Sequence, residues 1–219
     1  MIILWLAREQ FASIDDLPEK LLKQQERGLT IRFCDDLRSH KKYFYVMQEY
    51  TNDLIVLADD DFIYPSDLIY QLMKFHNQNP TDIISSSVAL VKDVNDLPDK
   101  WGRPSYNERI KHAVNAQPFS GSGSLFPSRS LDTEYLFNRQ LITELCPYAD
   151  DLWLYYAALK KGTKVSCIYK CRSFPVEIYG TGSSSLWKIN GERKMNDQQW
   201  KLILRHFHET GETLFPVNS

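Results

Sequence analysis

The sequence predicts an α/β fold, a mostly parallel sheet flanked by helices, and three observations carry that expectation. Short β-rich apolar runs alternate with stretches at helical spacing, proline and glycine punctuate the joins, and a buried strand delivers three carboxylates to its carboxyl end. The chain has 219 residues and 43% hydrophobic content, which suits one substantial α/β domain.

Ile2-Ile3-Leu4-Trp5-Leu6 reads as the first strand. Arg8 and Glu9 stop this run, so it lacks both the basic start and the length of a signal peptide or membrane span. From Asp16 to Arg27, Leu17, Leu21 and Leu22 stand at helical spacing with Gly28 as a stop, and residues 29–33 return as a strand. After the polar turn 34–39, the stretch from Lys41 to Tyr50 places Tyr43, Val46, Met47 and Tyr50 on one helical stripe. Residues 54–58 form a buried strand. Pro65 then opens an amphipathic helix through Leu68, Ile69, Leu72, Met73 and Phe75, ending near 77–80. Residues 82–87 make the next strand. Periodicity is lost between Lys92 and Gln117, which predicts a long surface loop with a short helix around 106–113. A Gly/Ser-rich strand over 119–127, an apolar helix over 150–160, a strand over 165–169 and a last helix over 196–208 complete the expectation.

Charge and cysteine usage exclude several classes. With 26 basic and 28 acidic residues, the chain carries no excess of the kind that nucleic-acid binders use to neutralise phosphates. Cys34, Cys146, Cys167 and Cys171 form no Cys-x-x-Cys pair, which argues against a zinc site or disulfide framework and fits a reducing cytoplasm.

The sharpest chemical feature is Leu54-Ile55-Val56-Leu57-Ala58-Asp59-Asp60-Asp61. Ligands of open α/β sheets bind beyond the strand ends, and adjacent carboxylates repel unless a positive group neutralises them. Hard oxygen ligands suit Mg²⁺ or Mn²⁺, bridged to a diphosphate; the plain alternative is a solvated turn with an acidic helix cap. A second pair, Asp150-Asp151, opens the helix 150–160. Acids there oppose the helix dipole without further purpose, or one of them serves as general base toward a hydroxyl. Between them, Gly121 and Gly123 in Phe119-Ser120-Gly121-Ser122-Gly123-Ser124 let a ligand approach the backbone, or mark a bulged strand. Arg38, Lys41 and Lys42 are placed to meet a diphosphate, or form a solvated face. Residues 179–190 mix flexible and aromatic types as an active-site lid does, with Trp187 placed to stack on a sugar ring; a plain linker explains them as well.

In this order, these features resemble the family-2-like glycosyltransferases of the GT-A fold, particularly bacterial members that build surface polysaccharides. Ile55-Val56-Leu57-Ala58-Asp59-Asp60-Asp61 is similar to that group's metal-binding Asp-x-Asp strand end. Gly121-Ser122-Gly123-Ser124-Leu125-Phe126 resembles its small-residue strand, and Ala149-Asp150-Asp151-Leu152-Trp153-Leu154 its base-supplying segment. The resemblance implies a Rossmann-type, GT-A-like sheet. It also implies a metal-dependent, inverting transfer from a nucleoside-diphosphate sugar, a UDP-sugar first, to an oligosaccharide or lipid-linked saccharide acceptor, in the cytoplasm or at the inner face of the membrane. Asp59 and Asp61 then hold Mn²⁺ or Mg²⁺, and Asp60, Arg38, Lys42, Gly121, Gly123 and Trp187 contact the donor. Asp151 acts as base beside Asp150. Residues 1–90 form the nucleotide- and metal-binding part, and 91–219 the acceptor part with a C-terminal lid and helix.

Two departures from the family stand in the sequence. Met1 leads into what resembles the second strand, so the first strand and helix of the nucleotide pocket are expected to be missing, and Ala157 stands where relatives carry arginine. A degenerate relative that binds saccharide or protein without turnover is the non-enzymatic alternative. A strand ending in Asp-x-Asp also suits a Mg-dependent phosphatase, against which Ile63 stands where Thr or Val is usual.

Overall fold

A computed structural model describes residues 1–104, 108–168, 175–178 and 194–211. β1 (Ile2–Ala7) and β2 (Leu29–Cys34) pair in parallel, from Ile2 opposite Leu29 to Ala7 opposite Cys34. The connection is not the single helix expected over 16–27. Ser13 and Asp16 close their own capping box around a 3₁₀ turn, and Pro18 starts the four-residue α1 (Glu19–Leu22) afresh. The chain then tightens to 3₁₀ until Gly28. A 3₁₀ turn over Arg38–His40 leads into α2 (Lys41–Glu49), whose buried residues are Tyr43 and Phe44.

β3 (Ile55–Leu57) runs into the acidic segment, after which come the short β4 (Phe62–Ile63) and α3 (Leu68–Gln78). β5 (Ile83–Ser85) and β6 (Val88–Leu90) split the strand expected over 82–87 and extend it. The loop is then followed by β7 (Ala116–Pro118), a 3₁₀ turn over Ser120–Ser122 and β8 (Ser124–Phe126), so the predicted Gly/Ser-rich strand is part turn and part strand. Among the described residues two helices escaped the sequence reading: α4 (Thr133–Leu136), capped by the Asp132 side chain, and α5 (Arg139–Leu145), capped by Asn138. α6 (Asp150–Lys161), β9 (Val165–Cys167), β10 (Val176–Glu177) and α7 (Met195–Glu209) follow.

The class is mixed α/β with several small sheets. The largest among the described residues has the order β3-β8-β5-β9. β1/β2 and β5/β9 are parallel, whereas β3/β8, β8/β5, β6/β7 and β4/β10 are antiparallel, so the expectation of a mostly parallel sheet is met only in part. β8 is the reason in the main sheet: it returns from the long loop and inserts between β3 and β5 against both. That loop carries no helix over 108–113. Instead Ala113 and Val165 exchange backbone hydrogen bonds, and the Ile110 carbonyl accepts from Cys167, which lays the loop along β9.

α6 is the centre of the core, buried from Leu152 to Leu159 on every side. α7 seals one flank. Trp200 lies edge-on to Trp101 with ring centroids 5.1 Å apart, stacks near Tyr155, and donates its indole N–H to the Val94 carbonyl. This packing fixes the start of α6, where the second acidic pair sits.

Candidate functional site

The carboxyl end of β3 and the first turn of α6, about ninety residues apart in sequence, meet through a lysine on α2. Lys42 Nζ stands 2.5 Å from Asp59 Oδ1 and 3.0 Å from Asp150 Oδ2. Burial works against the ammonium, yet the carboxylates of Asp150, Asp59 and Asp151 hold Lys42 well above its ordinary range. Asp150 mirrors this: burial opposes its charge, and Lys42 nevertheless keeps its carboxyl below the usual range.

Asp151 meets a different environment one residue later. The Ser120 N–H donates to its Oδ1 at 2.7 Å, while the Ser120 hydroxyl donates to Asp150 Oδ2 at 2.9 Å. Burial, and then the Asp150 charge beside it, push the Asp151 carboxyl up to about 7. Asp150 is thus fixed as an anion while Asp151 is poised to take and release a proton near neutral pH.

The Gly/Ser turn closes the site from the other side. A Cβ on Gly121 would lie 1.9 Å from Asp59 Oδ2, so glycine is required for this backbone to reach the carboxylate. The Tyr64 hydroxyl accepts from the Asp59 N–H at 2.7 Å and sits 3.0 Å from the Asp59 carbonyl and 2.5 Å from the Gly121 carbonyl, to one of which it donates. Gly123 answers a packing demand instead: it holds φ +97, and a Cβ there would meet Leu68 Cδ2 at 2.7 Å.

His40 fixes where Lys42 stands. It is fully buried, its Nε2 is 2.7 Å from the Cys146 carbonyl and its Nδ1 is 3.0 Å from the Tyr43 hydroxyl. A carbonyl only accepts, so Nε2 carries the proton and Nδ1 accepts from the tyrosine. Burial pushes the ring down to about 4. The neutral imidazole ties the first turn of α2 to the chain just ahead of α6.

Of the residues singled out from sequence, Lys42, Asp59 and Asp150 are in direct contact, Asp151 joins them through Ser120, and Gly121 abuts Asp59. Asp60 is exposed at the strand end. Arg38 turns elsewhere, its guanidinium 4.2 Å from the Tyr148 ring centroid. Trp187 and the lid expected over 179–190 lie outside the described residues. Tyr64, Ser120 and His40 were not assigned from sequence. Ser120 lay inside the Gly/Ser run, but nothing local marks Tyr64 or His40, because their partners are distant in sequence.

The donor set suits a hard divalent cation in kind. Among the described residues, the buried Oδ1 of Asp61 has no hydrogen-bond partner. Burial and then the Asp59 charge raise the Asp61 carboxyl, a penalty that a cation would relieve. Mg²⁺ commonly takes one or two protein carboxylates and fills its shell with phosphate oxygens and water, so Asp59 and Asp61 are enough in number. Among the described residues, no group of three or more His, Cys, Asp or Glu side chains is arranged to hold a metal ion. The neutralisation that the sequence assigned to a dication falls in part to Lys42, whose ammonium already compensates Asp59. No protein-family model and no curated protein matches the chain.

Proposed function

We propose that the chain is an inverting glycosyltransferase on a GT-A-like framework, acting in the cytoplasm or at the inner face of a membrane. It moves a sugar from a nucleoside-diphosphate donor, a UDP-sugar first, to a saccharide acceptor, free or lipid-linked. The observation that carries this reading is the divergence of two neighbouring acids in the first turn of α6: Asp150 clamped as an anion by Lys42, and Asp151 raised to about 7 beside it. Glycosyl transfer to a hydroxyl needs such a group, because the acceptor oxygen must lose its proton as it attacks.

In the proposed reaction the acceptor oxygen forms a bond to the anomeric carbon from the face opposite the diphosphate. The bond from that carbon to the diphosphate oxygen breaks, and the acceptor proton passes to Asp151. The Ser120 N–H holds Asp151 in place, and the Asp150 charge beside it raises its proton affinity. Asp59 and Asp61 would hold Mn²⁺ or Mg²⁺, which supplies positive charge for the departing diphosphate. Lys42 keeps Asp59 oriented and contributes its own charge at that edge.

Calorimetric titration with uridine diphosphate, with and without Mn²⁺, tests the donor half. The wild-type chain is expected to bind in a metal-dependent way and Asp61→Ala to lose that dependence. Equal affinity in the two proteins would remove the metal assignment.

A further inference from the structure

A groove of about 690 Å³ lies away from the acidic cluster, between the 95–100 loop and the outer, C-terminal half of α7. Its lining is mainly apolar where Leu97 and Leu204 form the floor, and basic where Lys100, Lys201, Arg205 and His208 form the rim. The one acid there, Glu209, is engaged with Arg205 at 2.9 Å. On α7 the rim residues recur at helical spacing: 201, 205 and 208 all face outward and are exposed, while Trp200, Ile203 and Phe207 point into the core.

A helix C-terminus favours cations, which accounts for Arg205 and His208. It does not account for Lys201 in mid-helix or for Lys100 across the groove, neither of which makes an ion pair among the described residues. Two lysines without an ion pair among the described residues therefore face one concavity, beside an arginine that shares its charge with Glu209, in a chain whose net charge is −2. Leu202, on the adjoining turn of α7, leaves 42% of its surface exposed.

We propose that this groove is a docking surface for the anionic head groups of a phospholipid bilayer, holding the chain against the membrane without insertion. Charge complementarity selects an anion, and the apolar floor with Leu202 beside it selects one attached to hydrocarbon. A free phosphate would gain nothing from Leu97 and Leu204. A single-stranded nucleic acid calls for aromatic stacking platforms, and no Phe, Tyr or Trp lines the groove. Among the described residues no helix is long and apolar enough to cross a membrane, so contact here is peripheral. The inference does not depend on the glycosyltransferase reading.

Co-sedimentation of the full chain with vesicles at low salt tests it. Binding is expected to phosphatidylcholine vesicles containing phosphatidylglycerol, to be absent with phosphatidylcholine alone, and to fall as salt rises. The double variant Lys201→Glu/Arg205→Glu should lose at least about tenfold in vesicle affinity, since each cation near an anionic surface contributes several-fold. Lys201→Gln/Arg205→Gln should fall between that variant and wild type, which guards against a folding effect of the reversed charges. Lys20→Glu/Lys74→Glu makes the same charge change elsewhere and should bind as wild type does. The proposal is overturned by equal binding to both vesicle types, or by an equal loss in the control variant. It is also overturned if glycerol phosphate or inorganic phosphate displaces the chain from vesicles at low concentration, which would make the groove a site for free anions.

Discussion

At Lys42 a single ammonium serves two carboxylates that stand far apart in the sequence, and this divides the labour of the acidic pair on α6. Asp150 takes the lysine and the Ser120 hydroxyl, so its charge is fixed. Asp151 takes only the Ser120 N–H and stays poised near 7. A general base acts in its ionised form, so kcat/KM for transfer should climb as pH rises through about 7 and level off above it. Asp151→Asn should lower kcat by about a hundredfold or more, as loss of general-base catalysis does, and remove that limb, with uridine diphosphate still bound. A variant that keeps both the limb and the rate would show that another group takes the proton. The two acids were visible in the sequence as a pair, but their division was not: it depends on Lys42 and Ser120, which reach them only through the fold.

At the scale of elements, the site is a meeting of β3, the turn before β8 and the first turn of α6, and the local signals were of unequal strength. β3, α2, α3 and α6 were legible because an apolar run or a 3.6-residue stripe reports burial directly. β8 was legible as part of a Gly/Ser-rich strand but not in direction, since alternation of side chains is the same for parallel and antiparallel partners. The glycines looked like room for a ligand. Gly121 instead lets the turn press on Asp59, with its carbonyl held by Tyr64. Gly121→Ala should therefore turn the Asp59 carboxylate off Lys42, cost about 1–3 kcal/mol as overpacking does, and weaken Mn²⁺-dependent uridine diphosphate binding. Gly102, whose nearest neighbour to a Cβ is the Leu90 carbonyl at 4.0 Å, provides the comparison: Gly102→Ala should stay within about 0.5 kcal/mol of wild type. Denaturant midpoints of the two variants settle this, and similar losses would mean that Gly121 has no special contact.

Across the whole molecule, the acidic site is held together by a packed interior that includes the buried His40. His40 joins α2 to the segment leading into α6, while α6 itself is wrapped by α7 and the 98–101 turn. None of this was readable from composition, because a histidine followed by two lysines looks like surface until Cys146 and Tyr43 close over it. Its consequence is a pH dependence of global stability. Folding lowers the His40 pKa from 6.5 to about 4. Between those values the unfolded chain takes up a proton that the folded chain refuses. The stabilisation is therefore complete above about 6.5, drains away as pH falls, and is exhausted near 4, where the folded ring also protonates. A shift of this size corresponds to roughly 3 kcal/mol. Other carboxylates titrate over the same range, so the measurement is a difference: urea unfolding of wild type and His40→Gln from pH 7 down to pH 4. Glutamine stays neutral throughout and keeps a donor for the Cys146 carbonyl. The stability advantage of wild type over the variant should shrink by about 3 kcal/mol over that interval, through linkage at this one ring. Two curves that run parallel would show that His40 is solvated enough to protonate in the folded state, and the tie between α2 and α6 would then rest on packing alone.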